Sequence, residues 1–511
     1  MTRRVTDWVL RRATLSPDAP ALLGQGGQVT STYRAWDRRI AQAARWLVER
    51  GVVRGDRIAV LARNRTETLD LLFACGRLGA VLQPLNWRLS APELDQLVRR
   101  HPPRLLLSDA AATELVTTLQ ALHAPTGPLA ALDDGAVGEP FAPSGLAPYD
   151  ASHIDVLGSD PWVLAGTGGS TGLPKAAILT HDTILWNAVN TCASWGLTGA
   201  DVAILDAPLF HAGGLGVFTL PLVHAGGASV VCPGFDPART FDLLDARVPT
   251  VLFGVPSMLA TLVDHARWRA ADLSGLRLVI TGGSPAPERL FSQFGDKGAL
   301  LRLGYGLTEA GPNNFWLPAA EARRKPGRVG YPLLHVECRL TDDQGRDVQA
   351  VGAVGELLLR GPHVTPGYLG DAEATRHAID ASGWLHTGDL ATRDADGCFA
   401  IVGRRKEMFI SGGENVYPSE VEAVLQSHPD MVDAAVAGIA DEHWGEVGAA
   451  LLVARSPIDP GALTTFLRAR LAAYKIPKSF TFVPDLPRTG AGKLDRAAVA
   501  RLVTPSPELP Q

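Results

Sequence analysis

A nine-residue segment rich in glycine and hydroxyl groups is the clearest candidate for chemistry in the chain. Thr167–Lys175 reads TGGSTGLPK and directly follows an apolar run, Pro161–Ala165. Glycines let backbone N–H groups converge on an anion, hydroxyls add donors, and a lysine adds a mobile positive charge. The segment therefore indicates a phosphate-binding loop, with an ordinary glycine-rich turn as the alternative. The generic phosphate-loop motif does not fit, because Ala176 follows Lys175 where a magnesium-binding hydroxyl would stand.

Five further segments give this loop a context. They are Pro208–Gly213 (PLFHAG), Tyr305–Glu309 (YGLTE), Trp384–Leu390 (WLHTGDL), Gly403–Glu420 (GRRKEMFISGGENVYPSE) and Pro487–Arg496 (PRTGAGKLDR). In order and spacing they resemble the signature of the acyl-adenylate-forming superfamily, which includes acyl-CoA synthetases, luciferases and peptide-synthetase adenylation domains. The resemblance spans nearly the whole chain, and its acyl-CoA synthetase branch is the one expected here.

The resemblance implies a two-step reaction. A substrate carboxylate attacks the α-phosphorus of ATP and releases pyrophosphate, and the acyl group then passes to coenzyme A. Negative charge crowds at that phosphorus, so catalysis needs cations, oriented donors and in-line placement rather than a covalent nucleophile. ATP, Mg²⁺ and coenzyme A are the cofactor and co-substrates that this reaction implies.

The same resemblance implies which residues bind the nucleotide. The pyrophosphate portion of ATP is expected to contact the loop residues Thr167, Gly168, Gly169, Ser170, Thr171, Gly172 and Lys175. The adenine is expected to stack on Tyr305 and to be bordered by Gly282, Gly283, Ser284, Gly304 and Gly306.

Five residues are expected around the reacting phosphate and the ribose. Thr308 would donate to the α-phosphate, and Glu309 would ligate Mg²⁺, which prefers carboxylate and phosphate oxygens. Asp389 would accept the two ribose hydroxyls, since a carboxylate takes two hydrogen bonds at once, and Arg404 would also reach the ribose. Lys493 would bridge the incoming carboxylate and the α-phosphate. Lys175, Thr308 and Lys493, with His211, make up the predicted catalytic set.

The second step is expected to use a rotation of a small C-terminal domain. The predicted hinge is Lys406, where relatives have Asp or Lys, because a rotation needs a residue whose φ and ψ can change. Gly412 and Gly413 are expected to line a narrow pantetheine tunnel.

The acid is harder to predict. The acyl pocket is expected to be lined by His211, Gly213 and Gly214, by Gly282–Ser284 and by Asn313–Trp316. No acidic residue stands out there to hold a substrate amine, so an α-amino acid is disfavoured. Small residues leave volume for an apolar chain. A medium- or long-chain fatty acid is the first expectation and an aromatic acid the second.

Alternatives remain open. The thiol acceptor could be the pantetheine of an acyl carrier protein instead of free coenzyme A. A luciferase-like oxygenase would share the fold, and a non-catalytic nucleotide-binding protein is the alternative from another class. A homodimer is compatible with the resemblance.

The elements that must position these residues indicate an α/β protein with more than one domain. Its 511 residues exceed one compact core, and short apolar runs alternate with helical segments up to about residue 326. A β-rich region follows, and then a final α/β segment. We therefore predict a large domain of α/β and β-rich subdomains (1–403), a hinge (404–406), a small mobile α+β domain (407–503) and a flexible tail (504–511).

Composition excludes several classes of protein. Apolar residues make up 46% of the chain and charged residues 20%, and the net charge of −5 shows no block of one sign. Nucleic acid and anionic membranes are therefore disfavoured as partners. The five scattered cysteines have no zinc or disulfide spacing, and no apolar stretch has the length of a membrane span. A cytoplasmic location is expected.

Overall fold

The computed structural model describes residues 4–150, 155–167, 175–411, 414–441, 444–489 and 493–504. The predicted loop positions Gly168 to Gly172, the predicted tunnel residues Gly412 and Gly413, and all but the first residue of the predicted tail lie outside the described residues.

Helices and strands alternate along the described chain. The α-helices are α1 (Trp8–Leu15), α2 (Tyr33–Glu49), α3 (Thr66–Leu78), α4 (Ala91–Arg100), α5 (Thr113–Ala121), α6 (His181–Trp195), α7 (Ala212–Gly216), α8 (Thr219–Ala225), α9 (Pro237–Asp245), α10 (Pro256–Asp264), α11 (Glu288–Asp296), α12 (Ala319–Ala322), α13 (Ala372–Ala378), α14 (Pro418–Gln426), α15 (Pro460–Arg468) and α16 (Arg496–Val503). The strands are β1 (Pro20–Leu23), β2 (Val29–Thr32), β3 (Arg57–Leu61), β4 (Val81–Pro84), β5 (Leu105–Ser108), β6 (Leu129–Ala131), β7 (Glu139–Pro140), β8 (Pro161–Thr167), β9 (Lys175–Thr180), β10 (Val202–Leu205), β11 (Ala228–Val231), β12 (Val251–Gly254), β13 (Leu278–Thr281), β14 (Leu301–Leu303), β15 (Phe315–Trp316), β16 (Tyr331–Pro332), β17 (Glu337–Thr341), β18 (Gly355–Arg360), β19 (Leu385–Arg393), β20 (Phe399–Arg404), β21 (Phe409–Ser411), β22 (Glu414–Val416), β23 (Met431–Asp441), β24 (Gly445–Ala454) and β25 (Ser479–Phe482).

Two seven-stranded, mostly parallel sheets make up the first part of the large domain. Their strand orders are β7-β6-β5-β3-β4-β8-β9 and β14-β13-β12-β10-β11-β1-β2. Central strands such as β4, β5, β11 and β13 are buried along their whole length. This burial explains their continuous apolar sequences, since helices cover both faces of such sheets.

Antiparallel structure completes the chain. Strands β17 to β20 form a four-stranded antiparallel sheet, which is the β-rich region predicted after residue 326. The small domain has a sheet of order β22-β21-β24-β23, with β25 parallel to β24. Its separate core includes Phe409, Val421, Val436 and Leu463. The predicted fold class, α/β subdomains and a β-rich subdomain followed by a small α+β domain, is confirmed.

Each seven-stranded sheet contains one point where the connections diverge. In the first sheet β3 and β5 are neighbours, but the chain runs from β3 to β4 on one side and from β5 to β6 on the other. In the second sheet β10 and β12 are related in the same way. Loops at the carboxyl ends of such strands leave a crevice that commonly binds ligands.

Most predicted elements agree with the structure. The apolar patterns of the sequence predict a helix over Thr66–Leu78 and strands over Arg57–Leu61 and Val202–Leu205, and α3, β3 and β10 have these bounds. The sequence also predicts a helix over Pro460–Tyr474, and the predicted end is wrong, because α15 ends at Arg468. Ala472 is extended, with a φ of −61° and a ψ of 148°, so a helix cannot continue through it, and a separate 3-10 turn, Ala473–Lys475, follows. None of the helices in the described ranges is both long and apolar enough to span a bilayer.

Candidate active site

Asp389 is the centre of a hydrogen-bonded group that joins the predicted adenine and ribose residues. Strand pairing places it opposite Arg404, whose Nε lies 2.7 Å from one carboxylate oxygen. The Tyr305 hydroxyl donates to the other oxygen over 2.5 Å. Burial raises the pKa of Asp389, while Arg404 and the hydrogen bond from Tyr305 oppose this rise. Both oxygens are thus already positioned as hydrogen-bond acceptors, which is the property that two ribose hydroxyls require.

Glycines allow the predicted adenine contacts to come together at the ends of β13 and β14. A Cβ atom on Gly282 would lie 2.9 Å from the carbonyl oxygen of Gly304, and one on Gly306 would lie 2.2 Å from the carbonyl carbon of Pro312. Gly283 has a φ of +86°, a left-handed conformation that favours glycine. Larger residues would therefore push these backbone segments apart beside Tyr305.

The two ends of the glycine-rich loop are fixed by one antiparallel ladder. Thr167, at the end of β8, pairs with Lys175, at the start of β9. The Lys175 ammonium lies 5.1 Å from the centre of the Tyr368 ring, and the Tyr368 hydroxyl donates to Glu309 Oε1 over 2.7 Å. Burial, and then the Glu309 charge, raise the pKa of Tyr368. A cation and a carboxylate thus face the space next to the loop, bridged by a neutral phenol.

Lys493 reaches this group from the small domain. A hydrogen bond of 2.7 Å from the Thr489 N–H to the Lys493 carbonyl closes the turn that carries it. Part of the Lys493 residue is exposed to solvent. Partial desolvation by nearby protein atoms, and then the charge of Arg404, lower the pKa of Lys493, whereas the carboxylates of Glu309 and Asp389 act to raise it. Lys493 is therefore close enough to interact with residues of the large domain on either side of the nucleotide site.

His211 caps the short helix α7 and is held in one tautomer. Its Nδ1 accepts the N–H of Gly213 over 3.1 Å. Burial, followed by the positive charges of Lys493 and Arg88, lowers the pKa of His211 to about 4. The ring is therefore neutral at pH 7 and carries its proton on Nε2. His211 can donate a hydrogen bond to a substrate oxygen.

Gly213 leaves a gap beside His211. A Cβ atom there would lie 3.5 Å from His211 Nδ1 and 3.6 Å from the ring of Phe253, so the gap is bounded by an imidazole and an aromatic edge. Gly214 has a different reason to be glycine: its Cβ atom would lie 2.2 Å from the Pro208 carbonyl oxygen. Because Gly213 has no side chain, the predicted acyl pocket is larger next to His211. Because Gly214 has no side chain, the backbone at Pro208 can approach it closely.

Comparison with known proteins decides the family. The AMP-binding enzyme family model matches residues 9–369, and the model of the AMP-binding enzyme C-terminal domain matches residues 420–493. The chain belongs to the AMP-binding enzyme family. It is 42% identical over 499 residues to a feruloyl-CoA synthase of Amycolatopsis sp, covering 97% of this chain and 98% of the relative. It is 37% identical over 511 residues to an indoleacetate–CoA ligase of Aromatoleum aromaticum, covering 98% of both.

Solved structures of this family agree. The o-succinylbenzoate CoA synthetase of Bacillus subtilis, in complex with its acyl-adenylate intermediate, superimposes with a TM-score of 0.86 at 29% identity, covering 97% of this chain and 98% of that one. The same enzyme has been solved with ATP and a magnesium ion. This AMP-binding enzyme is thus an acyl-CoA synthetase of the acyl-adenylate-forming superfamily, with ATP, Mg²⁺ and coenzyme A as cofactor and co-substrates.

Glu309 suits the Mg²⁺ that the family uses. Tyr368 donates to its Oε1, and no described residue hydrogen-bonds to its Oε2. The described residues contain no cluster of three or more potential metal ligands. A single carboxylate completed by substrate phosphates is a usual way to bind Mg²⁺, which keeps few protein ligands.

The residues on either side of the predicted hinge form ion pairs with different domains of this AMP-binding enzyme. Arg405 is held to the large domain by Glu356 at 3.1 Å and by Asp343 at 2.9 Å. Glu407, two residues further on, is held to the small domain by Arg496 at 3.1 Å. We therefore retain Lys406 as the proposed hinge, since it lies between two anchored neighbours.

Some functional contacts were absent from the sequence prediction. Tyr368 follows Gly367 in a loop and Phe253 lies in β12, but neither residue type alone indicates a site. Asn64 also went unnoticed, although its amide donates to the Ala207 carbonyl and accepts from the Leu209 N–H, each over 2.8 Å. It fixes the segment that leads to His211.

Two of the residues expected to line the acyl pocket, Asn313 and Trp316, have structural partners. The Asn313 amide donates to the Thr191 hydroxyl over 2.8 Å and to the carbonyl oxygens of residues 216 and 217. Trp316 stacks on Trp195, with ring centres 5.7 Å apart, and on the guanidinium of Arg302. These side chains support the pocket by tying α6 and β15 to their neighbours.

Proposed function

We propose that the chain activates an aromatic carboxylic acid as its acyl-adenylate and transfers the acyl group to coenzyme A. The observation that carries the choice of acid is the gap at Gly213, bounded by His211 and by the edge of the Phe253 ring. Aromatic rings prefer edge-to-face contacts with one another, and Phe253 offers such an edge to an incoming ring.

The relatives support an aromatic acid. Feruloyl, indoleacetate and 2-succinylbenzoate are the acyl groups named for similar enzymes, and all three contain an aromatic ring. They lend no support to the fatty acid that the sequence placed first. The short, small residues that suggested volume for an alkyl chain are equally suited to a flat ring.

The acid is proposed to enter with its carboxylate toward the nucleotide. Neutral His211 donates from Nε2 to one carboxylate oxygen, and the Lys493 ammonium lies between that carboxylate and the α-phosphate. Asp389 and Arg404 hold the ribose, so that the α-phosphate is in line for attack. Glu309 would hold Mg²⁺, which would neutralise part of the phosphate charge. No residue needs to remove a proton, because the carboxylate is already ionised at neutral pH.

Acid-dependent exchange of pyrophosphate into ATP tests this proposal. The panel contains benzoate, hydroxycinnamates and indoleacetate on one side, and acetate, octanoate and palmitate on the other. We expect kcat/KM to be highest for a ring-bearing acid. A clear preference for octanoate or palmitate contradicts the aromatic assignment. If none of the acids in the panel supports exchange, the proposed adenylation activity is contradicted.

A substitution at Gly213 tests whether the preference for aromatic acids depends on the space beside His211. A Cβ atom fits there at ordinary contact distance, so Gly213→Val should fold and place its methyl groups in the gap. We expect kcat/KM to fall about 10- to 100-fold for aromatic acids, as pocket contacts of this size discriminate by roughly 1–3 kcal/mol, with acetate affected least. Gly275→Val, at a glycine with open space around it, is the matched control and should change nothing.

A further inference from the structure

A cleft of about 350 Å³ lies between the large domain and the small domain. The large domain borders it with α10, the turn that follows α10, and α11. The small domain borders it with the end of α14, the segment that leads to β23, and Arg455, which follows β24. Its volume is within the range of small-ligand sites. Of the described residues assigned above to adenylation, none borders this cleft, so it is separate from the nucleotide site.

Two polar atoms of α11 are buried at the cleft without a partner. Arg289 and Gln293 both border it, and in the described part of the chain neither Arg289 Nε nor Gln293 Oε1 has a hydrogen-bond partner. The two residues are four positions apart, so they lie on the same face of the helix. An unpaired buried donor or acceptor is destabilising, and a ligand that pairs with both atoms would remove this cost.

The charges that border the cleft favour an anion. Its arginine and carboxylate side chains are Arg289, Arg455 and Asp264. Arg455 lies 3.7 Å from Asp264, so these two charges balance each other. No carboxylate in the described ranges lies within ion-pair distance of Arg289. The cleft therefore has one positive charge in excess, on the residue whose Nε lacks a partner.

The unpaired groups specify the chemistry of the ligand. The Nε–H of a guanidinium and the neighbouring Nη–H are parallel and can bind two oxygens of one carboxylate or phosphate. Gln293 Oε1 is an acceptor and needs a hydroxyl donor. His428 borders the cleft from the small domain, and its Nδ1 accepts the N–H of Asp430 over 3.2 Å, so its other ring nitrogen is a donor. A ligand with both an anionic group and a hydroxyl group satisfies these side chains.

We propose that the cleft binds a small oxyanion that also carries a hydroxyl group, hydrogen phosphate or a hydroxycarboxylate, and that the bound anion stabilises the domain arrangement seen here. This inference rests on the proposed rotation about Lys406. An anion held by Arg289 on one side and by Arg455 and His428 on the other loses contacts when the small domain rotates. A ligand shifts an equilibrium by its difference in affinity for the two states. Because Lys493 lies at the nucleotide site in this arrangement, the anion would favour adenylate formation over thioester formation.

Two matched pairs of anions test the site. Phosphate carries an O–H at neutral pH and sulfate does not, and malate carries a hydroxyl group that succinate lacks. Binding of each anion to the full chain is measured by titration calorimetry. Thioester formation from pre-made adenylate and acid-dependent pyrophosphate exchange are then measured with each anion at constant ionic strength.

The variants are Arg289→Ala, Arg289→Lys and Gln293→Ala, with Arg269→Ala as the matched control. Arg269 is an exposed arginine of the turn that follows α10 and does not border the cleft. Since Arg289 has no ion pair to lose in the described part of the chain, Arg289→Ala should fold as wild type does.

We expect phosphate or malate, at about ten times its dissociation constant, to slow thioester formation about five- to tenfold and to leave pyrophosphate exchange undiminished. Arg289→Ala should weaken binding at least about tenfold, the scale of a charge-assisted contact, and Arg289→Lys should recover part of it. Gln293→Ala should remove the preference for phosphate over sulfate and for malate over succinate. Arg269→Ala should behave as wild type. The tighter of phosphate and malate identifies the oxyanion, and either result supports the site.

Several outcomes overturn the inference, and they can be told apart. If neither phosphate nor malate binds, or if Arg289→Ala leaves binding unchanged, the site is refuted. Sulfate and succinate that bind wild type as tightly as their partners refute the role of the hydroxyl group. Binding that depends on Arg289 but leaves thioester formation unchanged, or slows both half-reactions equally, refutes the link to the domain arrangement. A chain that forms neither adenylate nor thioester without added anion contradicts the proposed function instead, and calorimetry still decides whether the site exists.

Discussion

Asp206 gives a stability prediction whose sign and size both come from the structure. It follows β10 directly, on the segment that leads to His211, and only 5% of its surface is exposed. One carboxylate oxygen has no hydrogen-bond partner. Burial raises the pKa of Asp206 from 3.8 to about 7, although Arg239 and backbone N–H groups partly oppose the rise. Asp206→Asn replaces the ionised group by a neutral one of the same shape.

The sign follows from proton binding in the two states. Between pH 4 and pH 7 the folded chain holds a proton on Asp206 that the unfolded chain has lost, so stability falls as pH rises through this window. The shift corresponds to about 4 kcal/mol at roughly 1.36 kcal/mol per pKa unit. Since the asparagine amide is also imperfectly paired, we expect the variant to be about 2–4 kcal/mol more stable than wild type at pH 8.

Urea unfolding followed by tryptophan fluorescence, with the transition of the large domain fitted separately, measures this difference at pH 5, 6.5 and 8. The difference in free energy of unfolding between the variant and wild type should decrease by about 2–3 kcal/mol from pH 8 to pH 5. Asp201 supplies a control of opposite sign just before the same strand. Burial acts to raise its pKa as well, but hydrogen bonds from Arg277, Thr198 and Thr250 outweigh it and lower the pKa of Asp201.

Asp201→Asn should therefore destabilise the chain at pH 8, because its pairing energy is present above pH 4 and is lost only in acid. A pH-independent difference between Asp206→Asn and wild type, or a variant less stable than wild type at pH 8, would show that Asp206 is ionised and paired in the native state and would refute the reasoning.

Three further predictions concern the domains. Lys493→Ala should slow acyl-adenylate formation about 10²- to 10³-fold and leave thioester formation from pre-made adenylate nearly intact; an equal loss in both half-reactions contradicts its role. Lys406→Pro, which restricts φ, should reduce both half-reactions measured in single turnovers, and full rates in both exclude the hinge. The small domain's Arg455 lies 3.7 Å from Asp264 in the large domain, so Asp264→Arg should slow adenylation about two- to fivefold. Adding Arg455→Asp should restore the rate, and a double variant slower than the single one contradicts that contact.

Local apolar patterns are sufficient to predict the bounds of elements that are buried along most of their length. Strand β3 and helix α3 were predicted with their observed bounds, because a continuous apolar run and a long apolar helix have few alternative structures. The chain cannot continue α15 to the predicted end because the backbone is extended at Ala472, after which a separate 3-10 turn begins. Apolar periodicity does not reveal this change of backbone conformation, so the predicted end was wrong.

The site residues also divide into those that the sequence predicts and those that depend on the three-dimensional arrangement of strands. Asp389, Tyr305 and Arg404 belong to recognisable segments, and the structure brings them into one hydrogen-bonded group. Tyr368 reaches the site because it pairs with Ala177 of β9, and Phe253 because it lies near the carboxyl end of β12. Their roles depend on strand order, which a single sequence does not specify, and their residue types are common in any core.

The two crevices of the large domain are connected by Asn64. This residue follows Arg63 on the loop after β3, and its amide holds both the Ala207 carbonyl and the Leu209 N–H on the segment that leads to His211, each over 2.8 Å. Its side chain is buried, so the two hydrogen bonds are shielded from competing water. The loop after β3 and the loop that presents His211 are therefore fixed relative to each other, so this one amide joins the ends of strands from both seven-stranded sheets.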